Sequence, residues 1–220
     1  AQVDLLLATG DLAQDGSVAA YQRFRQVSEL LCANARWLPG NHDRLAQMRE
    51  ATVQTRLLDQ VLDIGNWRII LLNSQVPGAT PGYLEEEQLQ LLARAVSEAP
   101  QRHHLVCLHH HPVPVGSEWI EPIGLRNAKE FWAVLDRFPQ VRAVLWGHIH
   151  QPFDHVRNGV RLLATPSTCV QFTPGSTDFD VSGEAPGYRW LRLHPDGTLD
   201  TGVSRLDNFV FTPDYSANNY

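Results

Sequence analysis

Apolar residues along this chain follow two periods, and the switches between them mark out the elements. "VDLLLAT" (3–9) is a continuous apolar run, which predicts a strand buried on both faces. From Ser17 to about Asn34, residues Ala20, Phe24, Val27 and Leu31 fall at helical spacing, with Ser17 placed to cap. "ARWL" reads as a short strand ending at Pro39-Gly40, and Asp43 is placed to cap a further helix beginning "RLAQM". "VLDI" and "WRIILLN" flank Gly65-Asn66, a tight-hairpin signal. A helix is predicted from about Glu85 to Glu98, with Leu89, Leu92, Ala93 and Val96 on one face. "HLVCLH" (104–109) and "VRAVLW" (141–146) read as strands, with an amphipathic helix from Asn127 to Phe138 between them.

After residue 150 the alternation becomes that of hairpins. "DHVRNGVRLLAT" turns at Asn158-Gly159, and "GYRWLRLHPDGTLDTGVSRL" turns around Pro195-Asp196-Gly197. Strand–helix alternation followed by hairpins implies one mixed α/β domain over 1–208, with 209–220 as a loose C-terminal tail. Two mixed sheets packed as a sandwich, with helices on the outside, fit that order. No internal repeat or low-complexity segment interrupts it.

Composition narrows the picture. A chain of 220 residues with 43% apolar and 19% charged residues is that of a globular protein with a substantial core. No apolar run approaches the roughly 18–20 residues of a membrane span. "VDLLLA" is too short for one and has no basic leader, so neither membrane insertion nor a secretion signal is expected. A net charge of −6 argues against a broad nucleic-acid-binding face. Cys32, Cys107 and Cys169 are odd in number, far apart and form no CxxC pair, so they are expected to be reduced, small core residues of a cytoplasmic protein. Histidine stands out: five of the ten lie between His103 and His111.

The four strands expected to be buried end in "GD" (10–11), "GNHD" (40–43), "HHHP" (109–112) and "GHIH" (147–150). Ligands of open α/β sheets gather at the carboxyl ends of strands, and here every such end delivers an oxygen or an imidazole. The glycines before Asp11, Asn41 and His148 let the backbone turn sharply there. Carboxylate, amide oxygen and several imidazoles together suit Mn, Fe, Zn or Co better than Ca or Mg, and the lack of thiolate argues against structural zinc. Simpler readings stand beside this one: Asp11 or Asn41 as turn residues, and Asp43 as a helix cap.

The arrangement resembles the calcineurin-like metallophosphoesterases. Of that family's ordered motifs, Gly-Asp, Gly-Asn-His-Asp/Glu, a His before a Pro, and Gly-His-x-His stand here in order over residues 10–150. "ATPSTCVQFTPGSTDF" followed by "PGYRWLRL" is similar to the C-terminal half of bacterial class III cyclic-AMP phosphodiesterases. The resemblance implies that Asp11 bridges two metals, Fe or Mn foremost. Asn41, His110 and His148 would complete one site, and His150 would belong to the other. His110 matches the family's ligand position, two residues before the proline. Strand alternation would turn His109 and His111 to the other face, although strand ends twist.

Further implications concern the chemistry. Two metals about 3.5–4 Å apart acidify a bridging water for in-line attack on a phosphodiester, with no covalent intermediate. His42 would contact the phosphate and protonate the leaving oxygen, and Asp43 could orient that imidazole. The implied reaction is hydrolysis of 3′,5′-cyclic AMP to 5′-AMP. The alternatives are a broader metallophosphoesterase and a catalytically silent scaffold; the oligomeric state is left open. His103, His104, His155 and His194 read as structural or surface residues, and Trp119, Phe131 and Trp132 as core or rim aromatics. The family's first motif, Asp-x-His, occurs nowhere in the chain. The family layout therefore leads us to expect a further strand, loop and helix, and the ligands they carry, in roughly 40 upstream residues.

Overall fold

The computed structural model of the protein describes residues 3–210. A six-stranded mixed sheet is its centre. The strands are β3 (Val61–Ile64), β4 (Trp67–Leu71), β5 (His103–Leu108), β6 (Val141–Trp146), β7 (Phe153–Arg157) and β8 (Val160–Ala164). They lie in the order β3-β4-β5-β6-β8-β7, with β4, β5, β6 and β8 parallel and β3 and β7 antiparallel at the edges. The Gly65-Asn66 and Asn158-Gly159 turns form the two edge hairpins, as the sequence predicts.

Each strand of the parallel centre is buried on both faces, and alternation sorts its residues. Ile70, Val106, Leu108, Val144, Trp146 and Leu162 meet Leu92 and Val96 of α3 (Glu86–Ser97) and Phe131, Trp132 and Leu135 of α4 (Ala128–Leu135). Ile69, Leu71, Leu105, Cys107, Leu145 and Leu163 face the other way, toward a second β layer. That layer holds the parallel pair β1 (Leu6–Ala8) and β2 (Ala35–Trp37), and the hairpin of β11 (Gly187–Leu193) with β12 (Leu199–Arg205). It contributes Leu5, Leu7, Leu38, Leu191, Leu193 and Leu199. Outside it, α1 (Val18–Leu31) and α2 (Leu45–Ala51) close a third cluster around Tyr21, Trp37 and Met48. The expected sandwich of two β layers with helices outside is thus observed. A short pair, β9 (Gln171–Phe172) with β10 (Val181–Ser182), was not predicted. The predicted tail falls almost wholly outside the described residues.

Three local expectations are corrected. Ser17 caps α1 through its hydroxyl, but the buried face of that helix is Tyr21 and Ser28, while Val27 and Leu31 are exposed. Apolar spacing misplaced the face because Tyr21 is drawn inward to a polar partner. Asp43 does not cap α2; the cap is Arg44, with no side-chain bond, and Asp43 is buried elsewhere. Cys32 and Cys107 are buried free thiols, but Cys169 is exposed. Among the described residues no helix is long and apolar enough to cross a membrane.

Candidate metal centre

Parallel strands bring their carboxyl ends to one edge, and the loops leaving β1, β2, β5 and β6 meet there. Two of these loops approach unusually closely. A Cβ on Gly40 would lie 2.1 Å from Asp11 Oδ1, and one on Gly10, whose φ is +100°, would lie 2.3 Å from His109 Nδ1. Only glycine permits that approach. Asp11, His148 and His150 themselves hold left-handed backbone, with φ of 58°, 63° and 49°. Such conformations cost on the order of 1–3 kcal/mol each in a non-glycine residue. The three strained residues are three of those predicted to ligate metal.

Asp11 Oδ1 accepts the His42 amide at 3.0 Å, and its Oδ2 lies 3.1 Å from His109 Nε2. The same nitrogen is 3.1 Å from Asn41 Oδ1, while His109 Nδ1 meets the Thr9 carbonyl at 2.7 Å. The ring atoms of His109, His110 and His148 that could bind a metal lie within 4.8 Å of one another. Asp11, Asn41 and His148, predicted from three separate strand ends, therefore converge.

The expected orientation of the histidine run is corrected. His109 turns toward Asp11 and Asn41, whereas His110 has Nδ1 at 2.8 Å from Ser74 Oγ and Nε2 at 3.0 Å from the Thr80 carbonyl. Strand alternation stops at Leu108, where β5 ends, so the two-residue period no longer assigns faces beyond it. His111 stacks on His148 at 5.7 Å, with its Nε2 3.9 Å from Glu121.

Electrostatics separates these groups. Burial alone would raise the Asp11 carboxyl, but the charge and hydrogen bond of His109, with the His42 amide, hold it well below the usual carboxylate range. Burial opposes protonation of His109, yet Asp11 outweighs it and raises that imidazole. Burial, with His109 beside it, lowers the pKa of His148 well below the ordinary value. Burial likewise pushes His150 down to about 4. Neutral imidazoles are what metal coordination requires. His148 Nε2 is also buried with no hydrogen-bond partner, a condition that costs about 1–3 kcal/mol and that coordination would relieve. The donor set present therefore fits a transition-metal ion.

Asp43, which does not cap α2, sits between two loops. Its carboxylate accepts the amides of Leu12, Ala13 and Gly40 and the Tyr21 hydroxyl, at 2.9 to 3.2 Å. It thereby ties the loop after β1 to the loop after β2. Burial, together with the Asp11 charge, raises its pKa despite those donors. Gln75 clasps the same loop from outside, donating to the carbonyls of Gly40 and Asp43 at 2.7 and 2.6 Å.

Sequence reasoning passed over Tyr21, Ser74 and Gln75. The last two follow β4, a fifth parallel strand end, so the rule that found the others would have found them. Nothing local marks Tyr21, whose role depends on where α1 packs.

Residues 1–152 match the calcineurin-like phosphoesterase family. A 3′,5′-cyclic adenosine monophosphate phosphodiesterase of Pseudomonas aeruginosa is 57% identical over 219 residues, covering 100% of this chain and 80% of the relative. The protein of the same description in Escherichia coli K12 is 48% identical over 221 residues, with the same coverage. Among solved structures, a dimetal phosphatase of Danio rerio shares the fold with a TM-score of 0.60 at 18% identity, over 86% of this chain and 80% of that one. A protein of Thermus thermophilus does so at 0.58 and 13%, over 91% and 86%.

Proposed function

The chain belongs to the calcineurin-like phosphoesterase family, and from that membership we propose that it hydrolyses 3′,5′-cyclic AMP to 5′-AMP with the aid of two transition-metal ions. The observation that carries the proposal is that Asp11 and Asn41 each lie 3.1 Å from His109 Nε2, with the orphaned nitrogen of His148 in the same cluster. The names of the 57% and 48% identical relatives support the substrate.

In this reading Asp11 would serve both ions, Asn41, His109 and His148 would hold one of them, and His150 would serve the other. His109 takes the role assigned by motif spacing to His110, because its Nε2 faces Asp11 and Asn41. His110 braces the cluster through Ser74 and Thr80. The nitrogen and oxygen donors suit Mn or Fe, with Zn and Co as substitutes. Bound there, two cations would neutralise phosphate charge and make a water acidic enough to attack.

The chain's own residues do the rest. Asn41 supplies an oxygen without adding charge, which leaves the site able to attract an anionic diester. His42, fixed through its amide to Asp11, donates a proton to the leaving 3′ oxygen, a contribution typically of 10²–10⁴-fold. Asp43 is a positioning residue that holds Leu12, Gly40 and Tyr21 so that Asp11 and Asn41 stay in register. The β11–β12 hairpin packs into the inter-sheet core, which supports one domain through residue 208. Three free cysteines fit a reducing, cytoplasmic setting.

The test is turnover of cyclic AMP by protein of known intact mass, with added Mn²⁺ and with chelator. Metal-dependent release of 5′-AMP is the expected result. Metal-loaded protein that splits an aryl phosphodiester but leaves cyclic AMP intact would overturn the substrate, and protein inert toward both would overturn the reaction.

A further inference from the structure

A wall of aromatic rings leads away from His150. Phe172 stacks flat on the His150 ring at 4.2 Å and 8°, and its amide bonds the His150 carbonyl at 3.3 Å. Trp119 and Phe179 meet Phe172 edge to face at 5.1 and 5.5 Å, and meet each other at 5.1 Å. Exposure rises along this series. Phe172 is 2% exposed and belongs to the main apolar core, Trp119 is half-buried, and Phe179 is 45% exposed.

The loops carrying these rings are fastened to each other and to the metal end. Ser176 accepts the Glu118 amide through its carbonyl and the Trp119 indole N–H through its hydroxyl, at 3.0 and 3.1 Å. Ser117 Oγ accepts the Gly175 amide at 2.9 Å. Gln151, the residue after His150, is buried and donates to Ser117 Oγ and the Thr173 carbonyl at 3.4 Å. Phe179 is therefore an accessible ring held in place, one aromatic beyond a predicted metal ligand. A surface of that kind stacks a second flat ring at little cost in conformational freedom.

We propose that Phe179, backed by Trp119, is the base subsite of this enzyme, on which the purine of the cyclic nucleotide stacks. The proposal rests on the cyclic-nucleotide reading above. In a cyclic nucleotide the phosphate is fused to the ribose, so a diester anchored at the metal centre projects its base in a narrow range of directions. A rigid wall beside His150 then selects for a substrate that has a base. Stacking on the base is made alike in the ground and transition states, so the wall acts on binding and not on bond cleavage.

The experiment compares the Mn²⁺-loaded protein with its Phe179→Ala and Phe179→Tyr variants on cyclic AMP and on base-free 3′,5′-cyclic ribose phosphate. Calorimetry with 5′-AMP and ribose 5-phosphate gives a readout independent of turnover. Phe179→Ala is expected to raise KM for cyclic AMP about tenfold, within the range for base–aromatic stacking, with kcat within about twofold. It should leave the base-free diester unaffected and bring 5′-AMP affinity down to that of ribose 5-phosphate. Phe179→Tyr should restore both. Equal losses on the two diesters, or unchanged KM and 5′-AMP affinity, would overturn the subsite. Wild-type protein that binds 5′-AMP through Phe179 yet hydrolyses no cyclic AMP would support the subsite while removing the proposed reaction.

Discussion

Strand β5 carries histidines at both of its ends, and the two groups meet opposite fates. At its start, His103 touches the Pro195 carbonyl at 3.2 Å and lies 5.6 Å from the Trp67 ring, while buried His104 meets the Ala99 carbonyl at 3.1 Å. Each is an ordinary structural side chain held by backbone. Past the strand's other end, His109 faces a carboxylate and an amide oxygen, and His110 and His148 sit within 5.0 Å of its ring. Residue type and strand are the same. What differs is the company, because parallel pairing sends the loops of β1, β2, β4 and β6 to the second end only.

The largest effect should come from His109→Ala, which is expected to lower kcat/KM for the diester by about 10³-fold, set against a change within about twofold for His103→Ala. His110→Ala should cost less, about 10–100-fold, as a brace and not a ligand. If His110→Ala were the more damaging of the two, the motif-spacing assignment would be restored. Next, saturating Mn²⁺ at about 100 times its Kd should stabilise the wild-type fold by about 2.7 kcal/mol, read by thermal or denaturant unfolding. His109→Ala should abolish that gain and His103→Ala should keep it.

Asp43→Asn is expected to destabilise the protein by about 1–3 kcal/mol, since three backbone amides and Tyr21 lose a charged acceptor, and to reduce activity about 10–100-fold with kcat affected more than KM. Unfolding together with steady-state kinetics would check both figures.

The opposite end makes a prediction through pH. Burial lowers His104 from 6.5 to about 4, below its value in the unfolded chain. As pH falls through 6.5 the unfolded state takes up the proton first, so stability is complete above 6.5 and declines until about pH 4. The loss due to this group is on the order of 3 kcal/mol. In His104→Leu the acid limb of a stability profile should be shallower by that amount; an unchanged slope would show that His104 is not protonated on unfolding. The smallest effect should be that of His103→Ala on stability, within about 1 kcal/mol, because the ring is half-exposed.

Much of this was legible in the chain. The strand and helix order, the two Asn/Gly hairpins and the Ser17 cap follow from period, turn chemistry and capping, all of them local. The rule that ligands collect at strand ends pointed to Asp11, Asn41 and His148, which the fold brings together around His109. The failures share a cause. The α1 face, Asp43 as a helix cap and the alternation expected to turn His109 away each depend on a partner far away in sequence: Tyr21 with Asp43, Leu12 with Asp43, and Asp11 with His109.

The sequence by itself determined which segments form strands, where those strands stop and which chemistry stands at their ends, because backbone preference and hydrophobic period act over a few residues. Tertiary structure alone decided which imidazole turns toward Asp11, that Asp43 fastens two loops, and that Phe179 lies one ring from His150. Those outcomes come from the close approach of loops separated by 30 to 100 residues, as in the bonds from Ala13 to Asp43 and from His109 to Thr9. No local period encodes the direction a side chain takes once its strand has ended.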